Sequence, residues 1–483
     1  MRILCFLALL FLSLQNQALF AQNQSLEPCG TQITPAVENW FHSLDHSFRK
    51  NLRLQAGELF IPVVIHIVGN DNGNGYFPKD QAFQLICELN RQYIPASIRF
   101  FLADTFYYIN NSRYYNHDWS AGYEMMDVHN VFNAMNVYIV QNPSDACGYA
   151  YYPGGGPGNG RGGIALAKSC SRPGNSTLPH EVGHYLSLPH TFDNWNSSGA
   201  SEFVNGNNCA SAGDYFCDTP ADFLDFRWNC PYTGNKLDLN GDPYQPDGSF
   251  FMSYSIEPCG KRFSQEQMDA MRISRTQDRP YLNSIPAPTF YPEQITSLLT
   301  PSDSSIVPTA GFMLRWNTVP GATEYVGMIT PINSFTFSTV KFFTTDTFFH
   351  VAQGLENNKS YHWKVSPISP YYPCVDPDSM GTSFQFRTDG TLTAIGESLE
   401  SELFQIQPVP SLYTEPILMT FPTSSGISTI SVLDLSGRSI LNWVTQPSQS
   451  SHSIPAYSLP AGCYWVQIKS ETTAPVTKRI LIY

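Results

Sequence analysis

The sequence predicts a multidomain chain in which an α+β domain built around one histidine-bearing helix precedes two β-sandwich domains. Three observations carry that prediction. Residues 180–190 read His-Glu-Val-Gly-His-Tyr-Leu-Ser-Leu-Pro-His, placing three imidazoles and a carboxylate within a few turns of chain. Upstream of them, β-rich runs alternate with a helix-periodic one. Downstream, from about residue 299, short β-rich runs are separated by turn residues, the pattern of packed antiparallel sheets. At 483 residues the chain is also too long for a single hydrophobic core.

His180 and His184, four apart, lie one turn above the other on one helix face, so both rings reach a single ion. Glu181 flanks that face, placed to take a proton from a water that the ion activates rather than to ligate. His190 comes six residues after His184, a spacing that a continuing helix carries to the wrong side, so the chain must break and fold back. The array resembles the long zinc signature of the metzincin peptidases, HExxHxxGxxH. The His-Thr-Phe run ending at Phe192, the Gly213-Asp214…Asp218-Thr219-Pro220 segment and Phe251-Met252-Ser253-Tyr254-Ser255 resemble the pappalysin family in particular.

That resemblance implies an α+β zincin (metzincin) catalytic domain and a secreted zinc endopeptidase acting on extracellular proteins or peptides. It implies His180, His184 and His190 as zinc ligands and Glu181 as general base and then acid to the leaving amine. Met252 becomes an apolar floor beneath the histidine rings, and Tyr254 a donor to the developing oxyanion. An acid at Glu257 faces, in relatives, the pocket for the residue after the cut bond, which points to a preference for Arg or Lys there. Asp214, Asp218 and Thr219 offer loop oxygens suited to calcium, which the family often holds at this place. Ser187 departs from the pattern, standing where the family has a glycine in left-handed backbone. Serine there costs about 1 kcal/mol, which a buried metal site can absorb.

Charged residues are only 14% of the chain, with a formal net charge of -13. No basic stripe is available to neutralise phosphates, which argues against nucleic acid as a partner. Residues 1–21 read as a secretory signal: Arg2 is the positive end, Ile3 to Leu14 the apolar run and Ala21 the small residue at the cut. No other stretch is long and apolar enough to span a bilayer. Once Cys5 leaves with the signal, the remaining cysteines meet oxidising surroundings, so pairing is expected.

Residues 22–54 read as a pro-segment with a helical pattern running to about Arg53. Its Cys29-Gly30-Thr31 has two readings. By resemblance to bacterial pappalysins, the Cys29 thiolate takes the fourth zinc position as a latch in the precursor, displacing the attacking water. Alternatively Cys29 is a half-cystine paired with Cys87 or another partner. The catalytic domain, 55–285, opens with a buried strand at Phe60 to Val68. A helix capped by Asp80 follows, carrying Phe83, Ile86, Cys87 and Leu89 on one face. Ile98, Phe100 and Leu102 alternate as a strand, and Asn136 to Val140 forms another. The Gly-rich run 153–163 lacks the strand, helix and Lys-Ser/Thr pair of a phosphate loop and reads as a mobile surface loop. Ile164 to Ala167 follows as a strand; by resemblance it is the edge along which extended substrate pairs. Ser176 or Thr177 caps the zinc helix, with Pro179 in its first turn. Beyond His190 the chain is irregular to about Phe250. By resemblance Cys230 pairs with Cys259 under the Met252 turn. Cys147 with Cys170 would clasp the Gly-rich excursion, and Cys209 can reach Cys217, although spacing alone does not fix connectivity. Ser264 and Gln267 form a capping box for a helix from Gln265 to Ser274.

A Pro-rich boundary follows Pro286. Within 290–388, Trp316, the Tyr361-His362-Trp363-Lys364-Val365 strand and Leu355 six residues ahead of Tyr361 resemble a fibronectin type III sandwich, with Tyr361 as its corner tyrosine. After an acidic linker at 389–402, residues 403–483 carry Ile427 to Asp434, Leu435-Ser436-Gly437-Arg438 and Leu459-Pro460-Ala461-Gly462-Cys463-Tyr464-Trp465. These resemble the C-terminal sorting domain of bacterial type IX secretion, which implies that machinery as a partner and a secreted or outer-membrane-surface location. Two rivals stand beside the peptidase. One is a catalytically silent surface adhesin in which Ser187 spoils the third ligand; the other is a zincin whose third ligand is a downstream Glu or Asp.

Overall fold

The computed structural model describes residues 26–31, 33, 57–289 apart from 105, 198 and 225–226, 295–374 apart from 336–337, 381–389, and the strands and short turns between 405 and 482. The signal at 1–21, the helical pattern toward Arg53 and nearly all of the 389–402 linker lie outside them.

The catalytic sheet is organised on β1 (Leu59–Gly69), whose apolar residues, interrupted only by the buried His66, are buried on both faces, as a central parallel strand must be. β2 (Ile98–Leu102) and β3 (Tyr107–Asn110) pair with it in parallel on one side, and β4 (Met135–Val140) on the other. Beyond β4 come β5 (Gly148–Ala150) and β6 (Ile164–Ala167) in the order β2-β1-β4-β6-β5. The expectation of Ile164 to Ala167 as the edge is therefore corrected. β6 lies between β4 and β5, and β5 turns back antiparallel to it and forms the margin.

The expected helices form, with two changes at their starts. α1 (Lys79–Tyr93) buries Phe83, Ile86, Cys87 and Leu89, but Pro78 rather than Asp80 precedes it. Asp80 sits inside the first turn, where a carboxylate suits the helix dipole, and pairs with Lys341 at 2.6 Å. α2 (Trp119–His129) is capped by Asp118, which accepts from the Ala121 N–H at 2.8 Å. α3 (Thr177–Tyr185) carries Pro179 in its first turn, but Ser176 has helical backbone and makes no side-chain cap. α4 (Gln265–Gln277) has the predicted Ser264–Gln267 capping box.

The described residues form two compact units. The first holds 1–299 together with 316–347 and 363–383; its strands Glu324–Thr330 and Val340–Thr344 pair antiparallel with each other in a sheet separate from the catalytic one. Val326, Met328, Phe335 and Ile368 share one core with β1 and α1, and the Leu102 N–H donates to the Pro370 carbonyl at 3.1 Å. A disulfide joins Cys87 to Cys374, which removes Cys87 as a partner for Cys29. The other bridges are Cys147–Cys170, Cys209–Cys217 and Cys230–Cys259, the pairings that the sequence left as candidates.

The second unit is β-structure. Ser305–Val307 runs parallel to Phe384–Thr388, and the Glu356 N–H donates to the Tyr361 hydroxyl at 2.9 Å, the bond of a corner tyrosine. Near the C-terminus, Ser428–Leu433, Ser439–Val444, Gly462–Ser470 and Val476–Ile482 form an antiparallel sheet over a core that includes Ile430, Val432, Val466 and Ile480. Among the described residues no helix is long and apolar enough to cross a membrane.

Candidate active site

α3 brings His180 and His184 together, and the chain then breaks as the six-residue spacing requires. Ser187 adopts φ 74°, the left-handed conformation anticipated for it, and the Leu188 N–H returns to the Gly183 carbonyl at 2.9 Å. The buried Ser187 hydroxyl lies 2.7 Å from that of Ser274 on α4. That bond offsets the cost of a side chain in left-handed backbone, about 1 kcal/mol, by a similar amount.

The three ring nitrogens converge. His184 Nε2 lies 3.0 Å from His180 Nε2 and 3.1 Å from His190 Nε2. A tetrahedral zinc at 2.0–2.1 Å from each needs nitrogens roughly 3.3 Å apart. Each Nδ1 faces an acceptor: the Phe251 carbonyl at 2.6 Å for His180, the Leu188 carbonyl at 2.7 Å for His184, and the Asp193 carboxylate at 3.2 Å for His190. With the proton held on Nδ1, every Nε2 presents a lone pair inward. Burial favours the same state, holding His180 down at about 3 and His184 well below the ordinary range, so both rings are neutral, the form a metal ion requires. These residues fit zinc.

Met252 is fully buried beneath them. A Cβ on Gly183 would stand 2.5 Å from its sulfur, so the glycine inside the helical motif makes room for the thioether floor. Glu181 is also fully buried. Its Oε2 accepts from the Thr31 hydroxyl at 3.0 Å and lies 3.6 Å from the Cys29 thiol, while Oε1 is buried without a partner. Burial pushes this carboxyl up to about 8 against those two bonds.

Cys29 is unpaired, and its Sγ lies with the three imidazole nitrogens, all within 4.8 Å of one another. Residues 27–30 run parallel to the margin of the sheet. Glu27 N–H bonds to the Asp145 carbonyl at 3.0 Å, and Gly30 N–H to the Gly148 carbonyl at 2.8 Å. A Cβ at Gly30 would come within 3.2 Å of Ala146 Cβ and 3.3 Å of the Trp119 ring; the residue after Cys29 fits best as glycine.

Tyr254 lies beside the rings of His180 and His190, and its hydroxyl donates to the Cys29 carbonyl at 3.1 Å. Glu257 Oε1 accepts from the Ser176 N–H at 2.8 Å and from the Ser176 hydroxyl, taking over the helix start that Ser176 does not cap. Glu257 Oε2 is buried without a partner. The residue lines a cavity of about 220 Å³ with His180, Tyr254, Arg227 and the Cys147–Cys170 bridge. Of the loop oxygens, Asp214 accepts from the Thr219 hydroxyl at 2.9 Å. Asp218 is exposed and caps α4, accepting from the Glu266 N–H at 2.9 Å.

Four residues of this neighbourhood escape sequence reading. Tyr152 places its hydroxyl 3.0 Å from His184 Nδ1. Asp193 and Asp222 support the His190 segment, and Glu202 buries an unpaired oxygen. Only Asp193, immediately after the His-Thr-Phe run, carries a local signal.

Fold and site together define a metalloendopeptidase. Residues 123–274 match the family described as pregnancy-associated plasma protein-A, and residues 408–483 match the secretion system C-terminal sorting domain. An extracellular metalloprotease of Colletotrichum graminicola is 27% identical over 237 residues, 45% of this chain and 76% of that protein. One from Verticillium alfalfae is 27% identical over 268 residues, 50% of this chain and 85% of that protein. A mutant of Tannerella forsythia promirolysin is similar at a TM-score of 0.40 and 19% identity, over 54% of this chain and all of that one. Residues 123–274 are thus similar to a pappalysin-type peptidase domain and residues 408–483 to a sorting domain of the secretion system kind, and the chain is a secreted or cell-surface metalloprotease.

Proposed function

We propose that this chain hydrolyses peptide bonds of extracellular proteins, with His180, His184 and His190 holding zinc and Glu181 moving the proton. The observation that carries the reading is the convergence of three Nε2 atoms beside a buried carboxylate that is not one of the nitrogen donors. When bound, zinc supplies Lewis acidity toward the scissile carbonyl and the attacking water. Glu181 takes the water's proton and returns it to the leaving nitrogen. Tyr254, already donating to a backbone carbonyl in the cleft, is placed to bond the oxygen that gains charge. The experiment is direct: the processed protein carries one zinc and cleaves casein, and Glu181→Ala abolishes cleavage. A metal-free or inert mature chain sinks the reading and leaves the silent adhesin.

Glu257, which lines the cavity and keeps one carboxylate oxygen without a partner, would set the preference for Arg or Lys after the cut bond. Glu257→Gln keeps an acceptor for Ser176 and loses the charge. In a peptide series varied at that position it should lower kcat/KM for Arg and Lys by roughly 10–100-fold and spare Leu; an unchanged ranking dismisses the assignment.

Calcium binds in the loop of Asp214, Asp218 and Thr219, with the buried Glu202 carboxylate beside it. Burial and the neighbouring Asp214 and Asp222 push Glu202 up to about 9 from an ordinary 4.5. The folded chain then holds a proton that the unfolded chain releases, so this group's contribution to stability falls as pH climbs from 4.5 toward 9. Calcium should cancel that decline. Thermal melts between pH 5 and 9, with zinc restored and calcium present or chelated, check it; superimposable melts argue the site away.

A further inference from the structure

We infer that Asp193 and Asp222 form a two-carboxylate brace that positions the third zinc ligand, an inference resting on the reading of His190 as a ligand. His180 and His184 take their places from α3. His190 has no such support, since it lies beyond the left-handed turn at Ser187, in chain without regular secondary structure. Asp193 and Phe192 hold the residue. Asp193 Oδ2 accepts from the His190 backbone N–H at 2.8 Å, and Asp193 Oδ1 faces His190 Nδ1 at 3.2 Å. Phe192 stacks on it with centroids 4.6 Å apart and planes 14° from parallel. One carboxylate thus fixes both the backbone and the rotation of the ring, which aims Nε2 at the other two.

Asp222 acts one residue further out. It is buried, and its Oδ2 accepts from the hydroxyls of Thr191 at 2.7 Å and Ser253 at 2.8 Å, while Oδ1 takes the Phe223 N–H at 2.7 Å. Thr191 follows His190 and Ser253 follows Met252, and the Thr191 N–H also reaches the Met252 carbonyl at 3.2 Å. The buried carboxylate staples the ligand segment to the turn that floors the site. A buried ion of this kind costs several kcal/mol unless its oxygens are fully bonded, and here three donors meet it. Both aspartates are positioning residues, acting through His190 and its neighbours.

The test uses the full chain, zinc competition against a chromophoric chelator, and the visible spectrum of the cobalt-substituted protein. Asp193→Ala and Asp222→Ala should each weaken zinc about 10–100-fold and shift the cobalt bands, with Asp193→Asn restoring part of the affinity. Where Asp222→Ala does not fold, Asp222→Asn, which keeps one acceptor oxygen, gives the intermediate affinity. Variants that keep wild-type affinity and spectrum overturn the brace, as does a lower melting temperature with zinc held unchanged. A wild-type chain that takes no zinc overturns the ligand reading itself; wild-type uptake with unaltered variants overturns only the brace.

Discussion

Replacing Glu181 with Gln should lower kcat/KM for casein by about 10²–10⁴-fold while each chain keeps its zinc. The amide has the shape of the carboxylate and can still accept the Thr31 hydroxyl, which now lies at 3.0 Å, so the packing around α3 survives. What it lacks is the capacity to take a proton at Oε1, the buried oxygen without a partner. Because the three nitrogens are held by the Phe251 and Leu188 carbonyls and by Asp193, none of them depends on residue 181. Elemental analysis alongside initial rates separates the outcomes. Zinc retained with activity lost supports the base; zinc retained with full activity removes Glu181 from the chemistry; zinc lost makes the residue structural.

The parts of this site legible in sequence are those written locally. The four-residue spacing of His180 and His184 is a helix face, and the six-residue step to His190 demands the reversal that Ser187 makes at φ 74°. The Ser264–Gln267 box is likewise a pattern within one turn. What stayed hidden depends on contacts across the fold. Ser176 looks like a cap, yet its N–H and hydroxyl both go to Glu257, 81 residues on. Ile164–Ala167 reads as an edge strand because strand order is not local; only β5 doubling back shows that it is internal. Cys87 resembles a partner for Cys29 until strands past residue 316 enter the catalytic core and bring Cys374 to it. Asp222 is one acid among many in an irregular loop, and its role appears only where Thr191 and Ser253 meet it.

Cys29→Ala should convert a latent precursor into one active on short peptides without processing, raising kcat/KM on the order of 100-fold, as for a closed state populated 99:1 or better. The Cys29 sulfur shares the cluster of the three imidazole nitrogens, and a thiolate there takes the position that the attacking water needs. Burial and the Glu181 charge both push this thiol well above its ordinary range, so without zinc it stays protonated and is a poor latch; the metal is what makes it a thiolate. Latency should therefore be tightest in zinc-loaded precursor. The variant will not match processed enzyme on every substrate. Residues 27–30 still hydrogen-bond to Asp145 and Gly148 and still lie along β5, the sheet margin where an extended protein substrate would pair. Casein cleavage should stay below the processed level until 22–54 is removed, while a peptide too short to need β5 is freed at once. A variant as latent as the wild-type precursor on both substrates refutes the latch, and equal activation on both shows that the sulfur, not the strand pairing, was the whole of the inhibition.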